Sequence, residues 1–271
     1  MSSTTLPRSR LTPRLAGHCR GHGSPLLLIH GVGMQADFWS VLLPRLEQQF
    51  SLTVIDLPGH GDSPRLNMSN PTLADYSDTL AELLAASTER CIVIGHSMGA
   101  LIALDLAVRH TRYVAGVGVL NGVYRRSADA QEAIGKRVAE LSTPNTIDDA
   151  ATLRRWFGEA PTGADAHAAA ACRRWLASKD RAGYLDAYRV FATSDAPSDE
   201  ALRDIAIPAL VMTGSAEPNS TPAMASGMSR LICDAHCVII DGARHMMPLT
   251  HRDAVNKAII EQFGIGTATH G

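Results

Sequence analysis

Nowhere does this 271-residue chain carry an apolar run approaching the ~20 residues that span a bilayer, which excludes a membrane-crossing helix from its expected architecture. It also lacks a dominant charge: the net charge of −2 offers no electrostatic attraction for nucleic acid or an anionic membrane surface. Residues 1–13 are polar and basic (Arg8, Arg10) and lack the apolar centre of a signal peptide, so 1–14 is expected to be a disordered leader. Cysteine is scarce and odd in number, five in all, which argues against a disulfide framework and for reduced thiols in a cytoplasmic protein. Cys233 and Cys237 flank His236, but no second ligand pair follows, so no metal site is expected. What remains, 45% hydrophobic and 19% charged residues, describes a soluble globule long enough for one large core and an insertion.

The richest signal is Gly95-His96-Ser97-Met98-Gly99, which follows the apolar run Cys91-Ile92-Val93-Ile94 and opens a helical pattern over 100–109. Strand, G-x-S-x-G and helix together read as a nucleophile elbow, a turn so tight that Ser97 is strained and its hydroxyl projects. Glycine is required at 95 and 99 because a Cβ at either would strike the neighbouring strand or helix. Three further segments share the form of an apolar run ending in a polar turn. Leu26-Leu27-Leu28-Ile29 ends in His30-Gly31-Val32-Gly33, Leu52-Thr53-Val54-Ile55 in a turn over 56–63, and Cys237-Val238-Ile239-Ile240 in Asp241-Gly242-Ala243-Arg244-His245. With these four motifs in order, the chain resembles the α/β-hydrolase superfamily over roughly residues 15 to 265.

Strand and helix patterns alternate: strand 26–30, helix 37–50, strand 51–55, helix 72–87, strand 91–94, the elbow helix and strand 114–120. Such alternation predicts parallel strands with right-handed helical crossovers. From 123 to 204 the patterns are helical only (128–141, 147–156, 164–178, 181–192), and strands resume at 209–212 and 237–240 before a last helix, 253–263. The expected fold is α/β, a mostly parallel doubly wound sheet of the α/β-hydrolase type. Residues 15–122 and 205–271 form its core, and 123–204 form a helical cap inserted after strand 6.

A serine hydroxyl needs a base within reach, and the base needs an acid that fixes its tautomer. The resemblance implies Ser97 as nucleophile and His245, after the last strand, as base. The strand 210–212 leads into Thr213-Gly214-Ser215-Ala216-Glu217, where relatives carry aspartate; Glu217 is the favoured acid, with Asp241, Asp195 and Asp199 as alternatives. Backbone donors for an oxyanion are expected from Val32 and Met98, with Gly33 and Met34 shaping the entrance. His30 and the polar run from Asp56 to Ser63 are read as supports of this loop. His96 either borders the pocket or packs under the elbow.

The segments Arg155-Trp156-Phe157, 179–184 and 191–195 are similar to the cap of 3-oxoadipate enol-lactonases. Trp156, Phe157, Trp175, Tyr184 and Tyr188 either line an apolar pocket or pack the cap onto the core. Arg154 or Arg155 either pairs with a substrate carboxylate or stays in solvent. The resemblance implies a cofactor-free serine hydrolase of a small ester, thioester or lactone. A carbon–carbon bond hydrolase, a cofactor-free oxygenase or perhydrolase, and a receptor without turnover remain open on the same scaffold. A small molecule is the expected partner, and no helix offers the heptad seam that would reveal an oligomeric state.

Overall fold

The computed structural model describes residues 5–143 and 149–264. In chain order the strands are β1 (Ser9–Thr12), β2 (Leu15–Gly21), β3 (Ser24–Ile29), β4 (Phe50–Ile55), β5 (Cys91–His96), β6 (Val114–Leu120), β7 (Ala209–Gly214) and β8 (Ala235–Ile240). The α-helices are α1 (Leu43–Leu46), α2 (Leu73–Leu84), α3 (Met98–Arg109), α4 (Ala128–Ser142), α5 (Asp149–Phe157), α6 (Gly163–Ser178), α7 (Arg181–Thr193), α8 (Asp199–Arg203), α9 (Pro222–Ser229), α10 (Met247–Thr250) and α11 (Arg252–Phe263).

One sheet holds all eight strands in the order β1-β2-β4-β3-β5-β6-β7-β8. It is antiparallel where β1 meets β2 and β2 meets β4, and parallel from β4 to β8. β5 and β7 are buried at every residue, as expected for apolar strands covered on both faces. The sixth strand is followed by helices α4 to α8 and then by β7, which is where the sequence places its helical insertion.

Helix boundaries follow local chemistry. Thr72 caps α2 in a reciprocal pair with Asp75: Asp75 N–H donates to the Thr72 hydroxyl, and Thr72 N–H to the Asp75 carboxylate (2.8 Å). The helix expected over 37–50 is instead a single 3₁₀ turn, Ala36–Trp39, and the short α1, which carries Pro44 in its first turn. A proline there cannot donate to the preceding turn, so the chain restarts rather than continues. Residues 147 and 148, expected to open the second cap helix, lie outside the described residues.

The disordered leader requires correction. Residues 1–4 lie outside the described residues, but 9–12 form β1, Leu6 is buried, and the Arg8 side chain is only 8% exposed. Arg8 donates to both carboxylate oxygens of Asp37 (2.9 and 3.0 Å) and to Asp56 (3.1 Å). Composition missed this because a basic residue near a terminus resembles a tail, whereas here two carboxylates buried far along the chain require a cation.

Candidate active site

Parallel strands β5, β7 and β8 deliver Ser97, Glu217 and His245 to one edge of the sheet, beyond their carboxyl ends. Ser97 joins β5 to α3 at φ 57° and ψ −116°, a left-handed conformation that costs a non-glycine residue on the order of 1–3 kcal/mol. Its surroundings enforce it. A Cβ on Gly95 would lie 1.9 Å from the Gly99 carbonyl oxygen, and one on Gly99 would lie 2.3 Å from that of Ile29. The Ser97 N–H meanwhile donates to the Leu120 carbonyl (2.9 Å), holding the turn to β6. Met98 is the first residue of α3, where the helix dipole adds positive potential.

The loop after β3 is clamped by two histidines. Leu57 N–H donates to His30 Nε2 (2.9 Å), and His30 Nδ1–H donates to the Gly31 carbonyl (2.8 Å). His60 Nε2 accepts from Gly33 N–H (3.0 Å) and its Nδ1–H donates to the Pro58 carbonyl (3.2 Å). Burial pushes both rings below the usual histidine range, His30 to about 3, keeping each neutral with a nitrogen free to accept. Met34 N–H donates to the Gly31 carbonyl (3.2 Å). Of the amides at 32, 33 and 34, that of Val32 alone has no protein acceptor among the described residues.

His245 Nδ1 lies 2.7 Å from Glu217 Oε2. The carboxylate is 3% exposed as a residue and is held at three other points. Asn121 Nδ2–H donates to Oε2 (3.2 Å), and the amides of Asn219 (2.7 Å) and Ser220 (3.4 Å) donate to Oε1. Burial alone would raise this carboxyl, but the charge and hydrogen bond of His245 and the two amides overcome it, bringing it down to about 2. The other carboxylates are engaged elsewhere. Asp241 accepts from the Ser215 hydroxyl (3.1 Å), Asp195 from the amides of Arg126 (3.0 Å) and Ala196 (2.9 Å), and Asp199 from the Tyr124 hydroxyl (2.8 Å).

His96 both packs beneath the elbow and borders the cavity. Its Nε2–H donates to the His245 carbonyl (2.8 Å), and its ring lies 4.7 Å from that of Phe38 and 4.9 Å from that of His245. The cavity holds about 520 Å³, with Gly31, Val32, Met34, His96, Ser97 and His245 on one wall and Ile134, Thr152, Trp156, Tyr184, Tyr188 and Phe191 from α4, α5 and α7 opposite. The Trp156 indole is nearly parallel to the His245 ring, with centroids 6.1 Å apart.

Three residues that the sequence offered for the pocket or its entrance do not line the cavity. Phe157 is buried with Leu153, one turn earlier on α5, while Thr152, Arg155 and Trp156 share the face turned to the cavity. Gly33 lies beneath the cap: its Cβ would fall 2.8 Å from the Tyr184 ring. Trp175, 7% exposed, is likewise outside the lining. Sequence reading overlooked Asn121, whose signal is an asparagine ending an apolar strand, here at φ 51°. It also overlooked Arg126 and Arg137, which reach the cavity from a segment whose pattern is merely helical. No group of three or more metal-ligating side chains occurs among the described residues, and none of the described helices is long and apolar enough to cross a membrane.

Residues 26–258 match the model of the alpha/beta hydrolase family. The chain is 36% identical to the (E)-2-((N-methylformamido)methylene)succinate hydrolase of Acinetobacter baylyi over 241 residues, 89% of this chain and 90% of that protein. It is 30% identical to the pimeloyl-[acyl-carrier protein] methyl ester esterase of Aromatoleum aromaticum, over 83% of this chain and 92% of that one. The enol-lactonase of Burkholderia xenovorans superposes with a TM-score of 0.81 at 23% identity, covering 94% of this chain and 98% of its own, a likeness of fold.

Proposed function

The chain belongs to the alpha/beta hydrolase family, and from that premise we propose that it is a serine hydrolase cleaving a small carboxylic ester, thioester or lactone through an acyl-enzyme. The observation that carries this reading is the 2.7 Å contact between His245 and a buried Glu217, beside a strained Ser97 on the wall of one cavity. His245 Nε2 takes the proton of the Ser97 hydroxyl as its oxygen attacks the carbonyl carbon. Glu217 holds the imidazole by Nδ1–H and offsets the charge that the ring acquires. The oxyanion is received by the N–H of Val32, left open by the pairing of its neighbours, and by that of Met98 at the start of α3. Collapse of the intermediate expels the alcohol or thiol, which takes the proton from His245. Water then repeats the sequence and frees the acid. Helices α4 to α8 serve as a cap that shields these steps from bulk water.

A second reading has its own support. The Acinetobacter relative is named for a substituted methylenesuccinate, so the same residues would suit hydrolysis of a compound of that kind. The first test is common to both. A fluorophosphonate probe should label the wild type and not Ser97→Ala, and hydrolysis of a panel of aryl esters and lactones should disappear in that variant. Labelling that persists in Ser97→Ala would overturn the proposal.

A further inference from the structure

The wall facing Ser97 is positively charged: Arg125, Arg126, Arg137 and Arg155 line the cavity, and none of its described lining residues is aspartate or glutamate. Three of these cations are already engaged. Arg125 pairs with Asp199 (2.5 Å) and Arg137 with Glu140 (3.1 Å). Arg126 donates to the carbonyls of Phe191 (3.0 Å) and Ser194 and lies 4.5 Å above the Phe191 ring. Arg155 differs. It forms no ion pair or hydrogen bond with any described residue, yet it shares the cavity face of α5 with Trp156.

Two phenols line the same cavity. Tyr184, 2% exposed, and Tyr188 have ring centroids 5.9 Å apart, and neither hydroxyl has a hydrogen-bond partner among the described residues. Burial pushes the Tyr188 phenol upward, and Arg155 is the strongest of the three arginines that pull it back, so its charge is felt at that hydroxyl. Hydroxyls that line the cavity without a protein partner are open to a ligand oxygen, and an unpaired guanidinium offers a planar fork that fits two oxygens at once. Ile134, Trp156 and Phe191 add apolar surface to the lining, alongside the polar Ser127, Thr152, Asn219, Ser220 and Thr221. Hydroxyl donors and a guanidinium in such a setting suit a planar anion on a hydrocarbon stem.

We propose that Arg155, with the hydroxyls of Tyr184 and Tyr188, binds a carboxylate that the substrate carries away from its scissile carbonyl. The inference rests on the serine-hydrolase reading for the reaction itself, and it names the substrate class as the half-esters, lactones or enamides of dicarboxylic acids. Arg155 and the phenols are then the residues that set specificity, while Arg126 is held in place by Phe191 and adds positive potential.

Monoethyl adipate and ethyl hexanoate form the testing pair, equal in length and differing in one carboxylate. In the wild type, kcat/KM for the half-ester should exceed that for the neutral ester by at least about tenfold, mainly through KM. Arg155→Gln should bring the ratio towards one, Tyr188→Phe should lower it several-fold, and Arg155→Lys should restore part of it. Adipate should bind the wild type by calorimetry and bind Arg155→Gln at least about tenfold more weakly. Equal or better hydrolysis of the neutral ester, or adipate binding that ignores Arg155, overturns the proposal. Failure of the serine-hydrolase reading is distinguishable, because it appears as an unlabelled Ser97 whether or not adipate binding depends on Arg155.

Discussion

Glu217 illustrates how a single methylene is accommodated. Its carboxylate reaches His245 at 2.7 Å while the amides of Asn219 and Ser220 and the side chain of Asn121 fix it from behind. Glu217→Gln keeps the shape but places a neutral amide opposite Nδ1, so kcat should fall by roughly 10³–10⁴ with KM little changed. Glu217→Asp should lose less, because the charge survives and only the reach is shortened. Steady-state kinetics of the two variants checks the order, and an unaffected Glu217→Gln would remove this residue from the mechanism. Ser97, His245 and Glu217 were legible in the sequence because each follows an apolar strand in a turn of recognisable form. Asn121 was not, since a polar residue ending a strand has many uses and only the approach of β7 to β6 brings Glu217 near it.

At the scale of elements, the seam between α7 and the loop after β4 governs where the cap residues stand. A Cβ on Gly183 would meet the Gly59 carbonyl oxygen at 2.2 Å, so α7 can dock there only with glycine. Asp180 caps the same helix by accepting from Gly183 N–H (2.6 Å), and Arg65 pairs with Asp186 one turn further (2.6 Å). Gly183→Ala should therefore shift the start of α7 and displace Tyr184, raising KM several-fold while kcat and the melting temperature change less. A variant with a lowered kcat and unchanged KM would contradict this division. The order of the parallel strands could be anticipated from alternating apolar runs and helices. β1 and β2 could not, because four-residue β1 has no buried position and β2 is buried only over its first three residues, while Arg8, just ahead of β1, is anchored by Asp37 and Asp56.

Across the whole molecule, buried neutral histidines tie stability to pH. Burial, aided by the nearby His245, pushes His96 from 6.5 down to about 3, and burial moves His30 and His60 the same way. Between these values the unfolded chain takes up protons that the folded chain refuses, so stability is full above about pH 6.5 and declines as pH falls towards 3. At pH 5 the cost is about 2 kcal/mol for His96 alone. Glu217 adds to the loss lower down: its depressed value stabilises the fold above about pH 4.5, a contribution that fades as pH falls to about 2. Urea unfolding at pH 7.5 and pH 5.0 should show a lower midpoint at the acid pH, and equal midpoints would mean that these rings are protonated in the fold.

The central claim is that Ser97 carries the acyl group. The most direct measurement is the intact mass of enzyme mixed with an aryl ester and quenched in acid within the first turnovers, followed by peptide mapping. The account predicts an added acyl mass on the peptide containing Ser97. Turnover with no adduct, or an adduct on another residue, would contradict it.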